Sequence, residues 1–133
     1  MSKISYLAIV VLTLSSCGWG NKDTNQPLIL TTISIPKKLI NLGSYVKSDQ
    51  KAARFPIVNT GNQPLVIETV SVDCHCTIVG WTKKPVMPKD TAFITAKYNN
   101  SVTGYFQKNI YVHANVQHSP IFLIFRGNVS LGY

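Results

Sequence analysis

The stretch YFQKNIYVHA, Tyr105–Ala114, decides the fold class because its residues separate onto two faces with a period of two. One face collects Phe106, Lys108, Ile110, Val112 and Ala114, and the other collects Tyr105, Gln107, Asn109, Tyr111 and His113. This period is typical of a β-strand with one buried side. No stretch of the chain keeps a helical period over several turns. The sequence therefore predicts an all-β protein.

Outward from this stretch, other short apolar runs follow one another with turn residues between them. Phe55 and Ile57 are expected on one face of their strand, as are Ile94, Ala96 and Tyr98. Pro56 indicates an edge position or a bulge. About seven strands in roughly a hundred residues favour an antiparallel, immunoglobulin-like sandwich of two sheets. The runs are LILTTISI (Leu28–Ile35), KLINLGSYV, ARFPIVN, LVIETVSV, which continues into a Cys-His-Cys segment, TAFITAKY, YFQKNIYVHA and IFLIFRGNV.

The N-terminus, MSKISYLAIVVLTLSSC, has the pattern of an export signal. Lys3 precedes an apolar core, Ile4–Leu14, that is too short to span a hydrocarbon layer of about 30 Å. LSSC, Leu14–Cys17, resembles the bacterial lipoprotein box, in which the cysteine is acylated. The alternative is a plain secretory signal with an incidental cysteine. We therefore predict a signal peptide over 1–16, an acylated Cys17 with a flexible tether over 17–27, and one sandwich domain over 28–133.

Acylation of Cys17 fixes the expected compartment. Several acyl chains such as palmitate hold a protein stably at a membrane, since each buried CH₂ contributes about 0.8 kcal/mol. The prediction is a bacterial membrane-anchored lipoprotein of the outer membrane or periplasmic face, where disulfides persist. The chain has three cysteines. With Cys17 acylated, Cys74 and Cys76 are the only thiols that remain.

The charge balance restricts the partner classes. The chain has 13 Lys plus Arg against 5 Asp plus Glu, a formal charge of +8, but the cations are scattered and form no run. This scatter and the exported compartment argue against a nucleic-acid partner. The alternatives are a soluble, lysine-rich surface and weak attraction to anionic headgroups or an acidic glycan. Glu68, Asp73 and Asp90 suggest no catalytic carboxylate pair, so no catalytic residue is predicted.

Several stretches together resemble a bacterial family of exported, immunoglobulin-like domains of unknown function. That family pairs an N-T-G-x-x-P-L turn with C-G-C-T, a Pro-Gly turn, a G-x-F-x-K-x-I strand, a following Asn and a final Gly. The resemblance covers most of residues 40–129 and implies a sandwich like those of Hydin-like and major-sperm-protein-like modules, with a binding or scaffold role and no enzymatic activity. Lys89 and His75 stand where the family has glycine. The matching positions are Asn59, Thr60, Gly61, Pro64, Leu65, Cys74, Cys76, Thr77, Pro88, Gly104, Phe106, Lys108, Ile110, Asn115 and Gly127.

The segment DCHC, Asp73–Cys76, leaves three interpretations open. In an extended strand Cys74 and Cys76 would have Cα atoms about 6.6 Å apart, so a disulfide needs a local kink and would be easily reduced. His75 would point to the opposite face, and in place of glycine it makes a tight bend harder. Two thiolates on one face suit Cu(I) or Zn but fall short of about four zinc ligands. The third interpretation is a pair of packed free thiols.

The remaining candidates are weaker. His113 and His118 are expected at the surface, and Thr91 in DTA resembles a bacterial O-glycosylation acceptor. The sequence therefore predicts a lipid-anchored, non-enzymatic binding or scaffold module of the cell envelope. Its partner is expected to be an unidentified envelope protein bound by strand addition. The alternative is a metal-handling or thiol-redox protein that uses Cys74 and Cys76.

Overall fold

The computed structural model describes residues 29–99 and 102–132, and this part of the chain forms two packed β-sheets. No helix within these residues is long and apolar enough to cross a membrane. The predicted signal peptide, Cys17 and the tether lie outside the described residues. The strands are β1 (Ile33–Ser34), β2 (Leu39–Val46), β3 (Ala52–Asn59), β4 (Ile67–Val72), β5 (Thr77–Trp81), β6 (Thr91–Tyr98), β7 (Gly104–Ala114) and β8 (Ile121–Ser130).

The strand order confirms the two-sheet sandwich and corrects its details. The first sheet has the order β1-β3-β6-β5, and the second has the order β2-β8-β7-β4. β2 runs parallel to β8, so the second sheet is mixed and the expectation of a fully antiparallel fold was wrong. The parallel pair arises because β2 lies beside β8, the last strand of the chain. The order of strand-like runs in the sequence does not reveal which strands become neighbours.

The structure has eight strands where about seven were expected, because the run through Cys-His-Cys is two strands. β4 ends at Val72 and pairs with β7, whereas β5 begins at Thr77 and pairs with β6. The chain therefore changes sheets at the cysteines. The first run is shorter than expected: only Ile33–Ser34 pairs with β3, while Thr31 makes a separate parallel bridge to Val116.

The predicted alternation is confirmed in the core. Phe55, Ile57, Ile94 and Ala96 of the first sheet are fully buried. They face Ile110, Val112, Leu123 and Phe125 of the second sheet, which are also fully buried. Phe106 stacks on Tyr98 with a ring centroid distance of 4.1 Å, and this contact packs the two sheets together at one end. Each fully buried Phe, Ile or Leu side chain stabilises the fold by about 1.5–3 kcal/mol through removal from water.

The four edge strands differ in regularity. β2 has a register shift between Asn41 and Ser44, next to Gly43 with a φ of +69°. β4 has a shift between Ile67 and Thr69. Such bulges twist an edge and discourage pairing with another chain. β1 covers only Val58 and Asn59 of β3, which leaves the same side of β3 uncovered at Pro56. The edge position expected for Pro56 is therefore confirmed.

Asn59 is a buried polar centre with every side-chain atom paired. Its Nδ2 donates to the carbonyl oxygens of Gln63, at 2.7 Å, and of Val86, at 2.9 Å. Its Oδ1 accepts from the Thr31 hydroxyl at 2.8 Å and from the Gly61 N–H at 3.1 Å. The side chain has no exposed area. Because a buried amide is costly to leave unpaired, this network fixes the loop that follows β3.

Asn115, directly after β7, is a second buried side-chain amide whose hydrogen bonds join separate chain segments. Its Nδ2 donates to the carbonyl oxygens of Ile29 and Pro64, each at 2.9 Å, and its Oδ1 accepts from the Val66 N–H at 2.7 Å. The start of the described chain is thus attached to both sheets. Gly61 makes this attachment sterically feasible, because a Cβ there would overlap Thr31 Oγ1 and approach the Thr32 nitrogen to 2.7 Å.

The turn at Met87–Asp90 contains Lys89, the position at which the resemblance led us to expect glycine. The Asp90 N–H donates to the Met87 carbonyl at 3.0 Å, and Lys89 has a φ of +72°. Proline followed by a residue with positive φ is the pattern of a type II turn, which favours glycine at that second position. Among the described residues, Lys89 is the one non-glycine residue with positive φ. The backbone at Pro88 and Lys89 therefore has the conformation of a Pro-Gly turn although the second residue is lysine.

Replacing Lys89 by glycine should stabilise the fold. The change relieves a left-handed conformation that costs an L-residue about 1–2 kcal/mol. Against this gain, glycine raises the conformational entropy of the unfolded chain, which costs about 0.4–1 kcal/mol of stability. The expected net gain is up to about 1 kcal/mol in the free energy of unfolding, measured by urea denaturation. Lys84→Gly is the matched control, since Lys84 lacks a positive φ, and it should not stabilise. Equal effects of the two substitutions would contradict this account of the turn.

Candidate functional site

Cys74 and Cys76 form a disulfide in a turn between β4 and β5. Their Cα atoms are 5.2 Å apart, shorter than the extended-strand spacing, so the segment has the kink that a bond requires. The Thr77 N–H donates to the Cys74 carbonyl at 3.3 Å, and the Asn99 N–H donates to the Cys76 carbonyl at 2.8 Å. The expectation of an extended segment was wrong. His75 does not have a positive φ, so the bend forms without the glycine conformation.

The turn is half-buried and its tip faces solvent. Cys74 and Cys76 are both partly exposed, Cys76 packs against the core, and His75 between them is exposed. A short polar network lies beside it: Asn109 Nδ2 donates to Asp73 Oδ2 at 2.7 Å. A hydrogen bond from the Tyr111 phenol, with help from Asn109, holds the pKa of Asp73 below its usual range. The same hydrogen bond raises the pKa of Tyr111. Asp73 is therefore an ordered anion next to the disulfide.

The metal interpretation gains no further ligand in the described part of the chain. Within residues 29–99 and 102–132, no group of three or more His, Cys, Asp or Glu side chains is close enough to hold an ion. His113 lies on β7 opposite Thr69, and His118 is exposed in the turn before β8. Cu or Zn binding by Cys74 and Cys76 would need the reduced thiolates and ligands from elsewhere, and it stays a prediction.

A second candidate is a groove that sequence reasoning missed. We call it the β1 groove. It has a volume of about 690 Å³ and separates β1 from the turn before β8. Partly buried Ile33 and Ile35 pack against the core, while Phe122 is 58% exposed at the rim. The groove is lined by Thr31, Thr32, Ile33, Ser34, Ile35, Lys38, Val116, Gln117, His118, Pro120, Ile121 and Phe122.

Backbone polar groups also face the β1 groove. The Thr32 carbonyl accepts the Thr60 N–H at 3.0 Å, so Thr32 directs its backbone toward the loop after β3. In an antiparallel ladder, successive residues alternate between the two sides of the strand. The N–H and C=O groups of Ile33 are therefore turned away from β3 and toward the groove. An apolar floor beside a strand edge can accept an extended peptide through main-chain hydrogen bonds and alternate side chains.

The other predicted site residues do not come together. Cys17 lies outside the described residues, and Thr91 is the first residue of β6, paired with Val58 on the far side of the sandwich from β7. His118 lines the β1 groove, whereas His113 does not. The groove residues belong to two segments that are distant in sequence and carry no motif. The one available signal was the early end of the first strand-like run at Pro36.

The comparisons with known proteins concern family and fold. A family model described as "Protein of unknown function (DUF1573)" matches residues 33–129. No curated protein matches the sequence. A protein of unknown function from Porphyromonas gingivalis W83 has a similar structure with a TM-score of 0.67 and 12% identity. The match covers 81% of this chain and 51% of that one, so this chain spans about half of that protein.

Two further structures show how widely the fold is used. The match to the PapD-like domain 7 of human CEP192 has a TM-score of 0.65 and 10% identity and covers 89% of this chain and 98% of that domain. The match to the VesB protease of Vibrio cholerae has a TM-score of 0.56 and 12% identity and covers 74% of this chain but 31% of the protease. At these identities the likeness shows an immunoglobulin-like, PapD-like sandwich and nothing about activity.

Proposed function

Because this chain belongs to the family described as protein of unknown function (DUF1573), we propose a function from its own geometry. The protein is a lipid-anchored, non-enzymatic binding module of the bacterial envelope, and it captures an extended segment of another envelope protein in the β1 groove. The observation that carries this proposal is the combination of an apolar cleft with a strand edge on its wall. The lipoprotein-like sequence ending at Cys17 supports the anchor.

Charge and shape both favour a peptide occupant of the β1 groove. The walls carry Lys38 and His118 and, among the described lining residues, no carboxylate. Ile33, Ile121 and Phe122 supply apolar surface to the lining of the groove, which suits apolar side chains of an added strand. β5 is also a regular edge, but the depression that its residues Gly80 and Trp81 line is smaller, about 470 Å³ against about 690 Å³ for the β1 groove. These features select β1 as the receiving edge.

The anchor is tested by labelling cells with an alkyne analogue of palmitate. The wild-type protein should carry the label, and Cys17→Ala should lose it, because no other position resembles a lipoprotein box. Cys74→Ala is the matched control and should retain the label. A Cys17→Ala protein that is labelled as strongly as the wild type would remove the anchor from the proposal.

Strand addition is tested by photo-crosslinking in intact cells, followed by hydrogen exchange. A benzoylphenylalanine in place of Phe122 should trap one discrete partner. The same probe in place of Tyr105, which is also exposed but outside the groove, should trap none. In the purified complex, the Ile33 amide should exchange more slowly than in the free protein, because it gains a main-chain partner. Equal trapping at both positions, or unchanged exchange of Ile33, would contradict binding by strand addition.

A second candidate function rests on the bonded Cys74–Cys76 turn. In this case a partner dithiol is oxidised to a disulfide while Cys74–Cys76 takes up two electrons and two protons and becomes a dithiol. The partly exposed bond and the exposed His75 at the tip give a partner access to the sulfur atoms. Thiol–disulfide exchange of this kind requires only contact between a thiolate and one sulfur.

The redox candidate predicts reversible behaviour in glutathione buffers. Mass analysis after alkylation should show no free thiol on Cys74 and Cys76 in oxidising buffer and two in reducing buffer, with a midpoint within the glutathione range. Cys74→Ser, with one thiol left, is the control for the alkylation count. A bond that persists in every glutathione buffer is structural, and the redox function then fails.

A further inference from the structure

The outer face of the first sheet carries cations and no anions. Its strands β3, β6 and β5 contain Arg54 and Lys97, and none of them contains an Asp or Glu. Lys83 lies two residues after the end of β5. By contrast, the strands of the second sheet carry an exposed anion, Glu68 of β4, as well as the cations Lys108 of β7 and Arg126 of β8. The cations of the first sheet therefore have no opposite charge on strands β3, β5 and β6, and a flat positive face attracts an extended anionic partner.

Two of these cations are held in place by aromatic rings. The Arg54 guanidinium lies over the Phe93 ring, 3.7 Å from its centroid. The Lys83 ammonium lies over the Trp81 ring. Such stacking contributes about 0.5–1 kcal/mol at exposed sites and limits the rotamers of the cation. A guanidinium fixed in this way presents its N–H edge for bidentate contact with a carboxylate.

Beside Arg54 the outer face has a depression at Gly80, which has no side chain. Arg54, Thr95 and Gly80 lie side by side across β3, β6 and β5. A Cβ placed on Gly80 would meet no atom within 4 Å. The depression has a volume of about 470 Å³ and is lined by Arg54, Gly80, Trp81, Thr82, Phe93 and Thr95. It offers hydroxyls as well as charge, and Thr82 Oγ1 is oriented by the Phe93 N–H at 3.0 Å.

We propose that this depression binds an acidic polysaccharide, with the carboxylate of a uronic-acid-type sugar on Arg54 and its ring above Gly80. Lys97 is the next outward cation on β6, two residues beyond Thr95, which pairs with Arg54. Two residues of a strand span about 7 Å, so Lys97 would contact the next carboxylate of the polysaccharide. An anionic bilayer is a poorer match, because Arg54 covers the Phe93 ring and Lys83 covers the Trp81 ring, so neither ring is free to insert. This site is separate from the β1 groove and does not depend on it.

The test uses the full chain in detergent and polygalacturonate as the probe. Arg54→Gln should lower the affinity for polygalacturonate about tenfold, the loss expected for one charged hydrogen-bonded contact. Lys37→Gln removes the same charge away from the face and should change the affinity by less than about twofold. Gly80→Thr should also weaken binding, because its side chain occupies the depression and its Cβ meets no atom within 4 Å. Unfolding temperatures of the variants show whether each one is folded.

Three outcomes would overturn the proposal. Equal losses in Arg54→Gln and Lys37→Gln would mean that diffuse charge alone attracts the polymer. Binding of poly-glutamate that matches polygalacturonate and depends on Arg54 would make the site a receptor for acidic peptides. Arg54-dependent binding to phosphatidylcholine vesicles that contain phosphatidylglycerol, with none to polygalacturonate, would assign the face to the lipid surface. Neutral dextran should not bind in any case.

Discussion

The side-chain amide of Asn59 is the interaction on which the rest of this structure depends. It has no contact with solvent, and its four hydrogen bonds reach Thr31, Gly61, Gln63 and Val86. These partners belong to the N-terminal segment, the loop after β3 and the segment before the type II turn. Because an unpaired buried amide group costs about 1–3 kcal/mol, the three segments are stable only in this mutual arrangement. Removing the amide would release several chain segments together.

The same network explains why the candidate binding groove exists. β1 is paired over two residues only, which is too few for an independent strand. Thr31 holds the chain before β1 to Asn59, and Asn115 holds Ile29, four residues before β1. The backbone of β1 is thus positioned by side chains from β3 and β7, and its outer edge becomes a fixed wall of the groove. Buried polar residues thus position a surface of which half the lining residues are apolar.

How much the sequence predicts depends on the range over which each feature is encoded. Alternation within β3, β6 and β7 is local, and the buried faces of Phe55, Ile94 and Ile110 follow from it. The separation of β4 from β5 was missed because TIVGW is short and follows an apolar run without Gly or Pro. Pairing of β2 with β8, and the meeting of Ile33 with Phe122, are set by contacts between distant segments. The disulfide interpretation was open because it depended on the backbone conformation at His75, and alternation does not report that.

The absence of a side chain at Gly61 has a mechanical consequence. Thr31 and Thr32 lie so close to Gly61 that even a methyl group would displace them. β1 is therefore held by a small number of hydrogen bonds. A pull on the chain before Ile29 would load these bonds one after another. Tension would peel β1 away from its N-terminal end while the core stayed folded. If the proposed anchor holds the protein at that end, tension along the chain would reach the wall of the β1 groove before it reached the core.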